Sequence, residues 1–253
     1  MKQVVMLIVV LLTVTVGWIS WAETNKTVTI VVATDPTNPP MQMLDSAKQI
    51  TGFDIEVMNA AAKAGGFKAR FISVEWDSIF SGLLLDKYDA IMSSVTITSE
   101  RLKTMDFSVP YLVVGQVILV RTDAKPIGTF KDLSGKVVGV LSGSTSETEL
   151  NKSAKANGVT IKKYGDLIPM FAELVEKKID AFFCDDYYAA GAVQSQDPKY
   201  KNKIKIAGPA LTQEDFGIVV KKGNSKVLQT LNIGLKKVLQ SEEYVSIKKK
   251  WLK

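Results

Sequence analysis

Three polar clusters in this 253-residue sequence carry residue types that can hold a small charged molecule. The first is Thr96-Ile97-Thr98-Ser99-Glu100-Arg101, followed by Met105-Asp106-Phe107-Ser108. An arginine fork matches a carboxylate with two parallel hydrogen bonds. Ser99 can cap a short helix with Arg101 in its first turn, and Thr96 adds a hydroxyl. The alternative for Arg101 is a surface pair with Glu100 or Asp106. The second cluster is Ser142-Gly143-Ser144-Thr145-Ser146, between a strand and a helix. Free N–H groups at a helix start bind anions, and small residues let a ligand approach. Ser144 or Thr145 can equally act as a plain N-cap. The third is Asp185-Asp186, after a buried apolar strand. A carboxylate there can accept an ammonium group or cap the helix that follows. Asp35 ends the first strand in the same way, ahead of Pro36 and Pro39-Pro40. Trp76 offers an apolar wall, a ring face for a cation, or ordinary core packing. Together these parts suit a zwitterion: an arginine and a helix start for its carboxylate, an aspartate for its ammonium.

The composition narrows the chemistry. The chain has no histidine, which removes Ser-His-Asp and Cys-His mechanisms and every histidine-ligated metal site. No glycine-rich phosphate loop is present, and no Gly-Lys pair follows the Ser142 cluster. Cys184 is the single cysteine, so no intramolecular disulfide forms. No cofactor and no metal are expected. The formal net charge of +6 comes from scattered residues, with one basic run at Lys248-Lys249-Lys250. Aromatics do not interleave with it, so a solvated helix end is expected there and no nucleic-acid surface.

The elements that must position these clusters alternate. Strands are expected at 28–33, 69–74, 90–93, 137–141, 160–164 and 181–184, with helices at 52–64, 76–85, 145–156 and 168–177. That order implies parallel sheets covered by helices. Shifting the chain by 91 residues lays Trp76–Ser94 over Leu167–Asp185, matching Phe80 with Phe171, Leu83 with Leu174, and Lys87-x-Asp89-Ala90 with Lys178-x-Asp180-Ala181. Packing demands on any two such units could produce the same echo. Either way, Ser94 and Asp185 end matching strands, where open α/β sheets gather their ligands. The apolar runs 113–121 and 215–221 fit neither unit neatly and read as two crossing strands, a hinge. A helix at 225–240 would return to the first lobe. At the front, Lys2, an apolar run over residues 4–19 and Ser20-Trp21-Ala22 read as a secretory signal peptide cut before Glu23, with a membrane anchor as the alternative.

Several of these segments stand in a familiar order. Gly52-Phe53-Asp54-Ile55-Glu56, Trp76-Asp77, Tyr88-Asp89-Ala90-Ile91, Thr96 to Arg101 and Asp106-Phe107-Ser108-Val109-Pro110-Tyr111 resemble the periplasmic polar amino-acid binding proteins of ABC importers, solute-binding protein family 3. The resemblance implies an α/β, two-lobed periplasmic-binding-protein fold (type II) with two hinge strands. It implies lobe 1 at 23–116 and 215–253, and lobe 2 at 117–214. It implies a periplasmic monomer that hands an amino acid to a membrane permease. By position, Arg101 and Thr96 resemble the family's carboxylate clamp, and Thr145 its second-lobe contact. Asp185 and the Ser94 carbonyl resemble the ammonium site, Trp76 an aromatic wall, and Asp35 a group that meets the ligand side chain. Asn38 stands where members often carry an aromatic, which implies a more polar or open side. Ser93-Ser94 and Leu141 are closer to the lysine/arginine/ornithine type than to the glutamine type. The alternative on this scaffold is a cyclohexadienyl dehydratase acting on prephenate or arogenate, with Glu173 as the candidate acid. A receptor sensor domain is a third reading.

Overall fold

The expected alternation of strands and helices builds two sheets of one topology. The computed structural model describes residues 27–252 apart from residue 126, so the expected leader at 1–22 lies outside the described residues. Strand β1 (Thr29–Thr34) leads into three short strands, β2 (Thr37–Asn38), β3 (Gln42–Leu44) and β4 (Ile50–Thr51). Then come α1 (Phe53–Gly65), β5 (Lys68–Ser73), α2 (Trp76–Leu84), β6 (Ala90–Ile91), α3 (Arg101–Thr104) and β7 (Met105–Phe107). The chain crosses through β8 (Leu112–Val114) into β9 (Gln116–Arg121). Next are β10 (Val137–Leu141), α4 (Thr145–Asn157), β11 (Thr160–Tyr164), α5 (Ile168–Val175), β12 (Ala181–Asp185), α6 (Asp186–Val193) and β13 (Ile204–Ala207). It returns through β14 (Glu214–Phe216) and β15 (Val219–Lys221), and ends with α7 (Ser225–Leu239) and α8 (Glu242–Trp251).

The first lobe carries the strand order β5-β1-β6-β15-β7 and the second β11-β10-β12-β9-β13. In each, four strands run one way and one, β15 or β9, runs antiparallel between the third strand and the last. The echo at 91 residues therefore has a structural counterpart. Asp89 accepts a hydrogen bond from the Val31 N–H at 2.7 Å, and Asp180 accepts one from the Val137 N–H at 2.9 Å. Each aspartate, just ahead of its own strand, ties to the neighbouring parallel strand, β1 or β10, a specific requirement that generic packing does not impose.

The crossing runs differ from expectation in one respect. Most of each run belongs to a sheet: β9 sits between β12 and β13, and β15 between β6 and β7. The ribbon that joins the lobes is β8 against β14, with Glu214 opposite Val114. Short crossing strands continue directly into sheet strands because their β-branched residues are then buried, Val117 to Val120 and Val219 to Val220 among them. Helix α7 packs on α1 as expected. A Cβ at Gly234 would lie 2.0 Å from the Ala61 carbonyl oxygen, so these helices meet backbone to backbone. Lys248, Lys249 and Lys250 fall in the last turn of α8, where cations complement the helix dipole, and Lys250 pairs with Glu56. Among the described residues, no helix is long and apolar enough to cross a membrane.

Candidate functional site

A cavity opens between the lobes at the carboxyl ends of their parallel strands. It holds about 670 Å³ of space, part of it open to solvent, within the roughly 300–1,000 Å³ of small-molecule sites. Arg101, Asp185, Thr96, Ser94, Thr145, Trp76, Asp35, Asn38, Ser93 and Leu141 all line it.

Arg101 begins α3, and Thr98 rather than Ser99 meets its backbone: the Thr98 hydroxyl accepts from the Arg101 N–H at 3.1 Å. Glu100 pairs with Lys103 and Asp106 with Lys222, so neither alternative surface partner is available to Arg101. Its guanidinium instead lies 5.2 Å from the Phe80 ring and 5.8 Å from the Trp76 ring. It donates to the Thr96 carbonyl at 2.9 Å and, across the cleft, to the Gly143 carbonyl at 3.3 Å. Burial lowers its pKa to about 10, partly offset by Glu214 and Asp185, so it stays charged at neutral pH. Five N–H donors leave several of its positions unengaged by these two bonds.

Ser94 sits at φ 53°, in the left-handed region. It is held there by Asp54, whose Oδ2 accepts from the Ser94 N–H at 2.9 Å, from the Tyr111 hydroxyl at 3.0 Å and from Gln42. Burial raises the Asp54 carboxyl to about 7 against those three donors. Asp35 accepts from the Trp76 N–H and from the Thr37 hydroxyl, both at 2.9 Å, and its own N–H donates to Ser93 Oγ at 3.0 Å. Burial raises its pKa as well. Trp76 is wall and latch at once, since its indole N–H donates to the Ser142 carbonyl of the second lobe at 3.0 Å.

In the second lobe, Ser144 caps α4 by accepting from the Glu147 N–H at 3.1 Å. That leaves Thr145 and Ser146 in the first turn, lining the cavity, where N–H groups have no intrahelical partner. Asp186 does the structural work of the acidic pair, accepting from the Gly115 and Tyr187 N–H groups. Asp185 faces the cavity, touched by the Tyr187 hydroxyl at 3.2 Å and Gln116 Nε2 at 3.5 Å. Burial, reinforced by Glu214, raises its carboxyl to about 7.

Sequence reasoning missed four contributors. Tyr187 fills the side that Asn38 was expected to leave open, and Asn38 Nδ2 donates to its hydroxyl at 2.8 Å. The aromatic here comes from the opposite lobe, which one lobe's sequence cannot reveal. Asp54 and Gln116 read as a helix-start acid and a strand residue. Glu214 could have been noticed, because it is a carboxylate just before an apolar run, as Asp185 is one just after. Glu173, the candidate proton donor of the dehydratase reading, lies outside the cavity. Hydrogen bonds from Lys162 and Tyr164 hold its carboxyl below the usual range, the opposite of what a proton donor needs.

Comparison with known proteins agrees with this geometry. Residues 30–253 match the bacterial extracellular solute-binding proteins, family 3. A probable histidine-binding protein of Neisseria gonorrhoeae is 35% identical over 221 residues, covering 87% of this chain and 81% of that protein. The structure of an ancestral arginine-binding protein bound to arginine superposes with a TM-score of 0.83 at 37% identity, covering 89% of this chain and 98% of that one. An ancestral amino acid-binding protein described as a precursor of cyclohexadienyl dehydratase gives 0.80 at 33% identity, covering 89% and 96%. These similar proteins are binding proteins by name, the last included. With two lobes of one topology, a polar cavity between them and a match over residues 30–253, this protein belongs to the bacterial extracellular solute-binding proteins, family 3.

Proposed function

We propose that the protein is an extracytoplasmic receptor that closes its lobes on a free polar L-amino acid with a basic side chain and presents it to the permease of an ABC importer. The observation that carries this reading is the pairing of Arg101 and Asp185, from opposite lobes, in one cavity. Arg101 and the α4 start take the ligand carboxylate, and Asp185 with the Ser94 carbonyl takes its ammonium. Asp35 and Asp185 outnumber Arg101, which supports a cationic side chain. Asn38 Oδ1, buried without a protein partner, is a further acceptor at that end. The relatives named for histidine and arginine point the same way. The lobes are taken as 23–116 with 215–253, and 117–214, joined at the β8–β14 ribbon. The Lys2-to-Ala22 leader is taken as a cleaved signal peptide that delivers a monomer to the periplasm.

A thermal-shift screen with the twenty amino acids plus ornithine tests the reading, because a ligand that binds only the native state raises its stability. Arginine, lysine, ornithine or histidine should give the largest shift. No shift with any of them contradicts it.

A further inference from the structure

Behind the cavity, one carboxylate touches both lobes. Glu214 opens β14 in the ribbon that joins them, yet it does not line the cavity. Its Oε2 accepts from the Thr96 hydroxyl of the first lobe at 2.8 Å and from the Thr145 hydroxyl of the second at 2.8 Å. Its Oε1 accepts from Thr212 at 3.2 Å. Gln116, fully buried, donates its side-chain N–H to Thr145 Oγ1 at 2.8 Å, and its backbone N–H to Thr212 Oγ1 at 3.2 Å.

Donor counting gives this arrangement a direction. An ionised carboxylate only accepts, and a hydroxyl has one proton. The protons of Thr96 and Thr145 both go to Glu214. Neither hydroxyl then has a proton left for the cavity, and Thr145 Oγ1 also accepts from Gln116. A ligand carboxylate beside them must be held by Arg101 and the α4 N–H groups instead. The two threonine oxygens lie 3.5 Å apart across the lobe boundary, a separation that holds only while the lobes are together.

We propose that Glu214 is a positioning residue and clasp: it ties Thr96 to Thr145 when the lobes close, and it fixes the direction of both hydroxyl protons. This rests on the receptor reading for the identity of the ligand, but the clasp itself does not need one. It acts on closure, so its loss should appear in the dissociation rate and leave association nearly unchanged.

The test uses the mature protein with L-arginine and L-histidine as probes, in stopped-flow binding. Glu214→Ala should speed dissociation roughly 10- to 100-fold, the range expected for lost hydrogen bonds to a charged group. Glu214→Gln should recover most of it, because an amide oxygen can still take both hydroxyls. Thr145→Val should speed dissociation less than Glu214→Ala, and combining the two should add little. Spin labels on one exposed cysteine per lobe read closure directly, since Cys184 is buried. The ligand-free closed fraction should fall in Glu214→Ala and return in Glu214→Gln. Wild-type dissociation and closed fraction in Glu214→Ala, or equal loss in both variants, overturns the clasp. If neither amino acid binds the wild type, the receptor reading fails, and the ligand-free distances alone decide the clasp.

Discussion

The two lobes share a strand order but support the cavity differently. The first lobe presents Ser94 from a left-handed position held by a fully buried carboxylate, Asp54, with Gln42 and Tyr111 converging on the same oxygen. The second presents Asp185 from an ordinary strand end and Thr145 from an ordinary capped helix start. One surface is preset by buried polar bonds, and the other is assembled from regular elements steadied by Gln116. Strain of this kind persists where surrounding structure over-determines it. One strand order thus carries two unlike chemistries, an arginine on one side and an acid on the other.

The largest effect should come from the first lobe's charge. Arg101→Ala should weaken amino-acid binding by about 3–5 kcal/mol, because it leaves the buried ligand carboxylate without its charge partner. Titration calorimetry reads this as loss of measurable heat. Next, Asp185→Asn on the second lobe should cost about 1.5–3 kcal/mol. It should also remove a pH signature. The ligand-free Asp185 carboxyl is raised to about 7, and a bound ammonium favours its charged form. Wild-type affinity should therefore rise as pH increases through about 7, with proton release on binding. Calorimetry in buffers of different ionisation enthalpy should detect that proton in the wild type and not in Asp185→Asn.

Smaller effects separate the two footings. Asp54→Asn, confined to the first lobe, should cost about 1–3 kcal/mol of stability in urea, because an amide cannot accept from all three donors on that oxygen. Asp54 and Asp185 both have carboxyls raised to about 7 from the ordinary 3.8. The folded chain therefore keeps protons that the unfolded chain has released. This contribution is fully present below about pH 4 and is lost as pH rises through about 7. Thermal melts without ligand should show stability falling across that window, and the fall should shrink in Asp54→Asn.

Periodicity made the parallel core legible, since β1, β5, β10 and β11 are runs whose burial follows their side-chain pattern. The 91-residue echo carried real topology because Asp89 and Asp180 do the same job in each lobe. The strands β2, β3 and β4 escaped notice because two or three residues carry no period. In the site, Arg101 and Asp185 stood out as charges at element ends. Tyr187 and Glu214 did not, because their partners Asn38 and Thr96 lie 149 and 118 residues away.

The central claim is that the cavity grips both ends of a zwitterion, one from each lobe. Calorimetric titration with L-arginine, its α-amide and its α-N-acetyl derivative tests it most directly. Free L-arginine should bind, and blocking either end should abolish binding, because each block leaves Arg101 or Asp185 without its partner. Equal affinity for the amide or the N-acetyl form would contradict it.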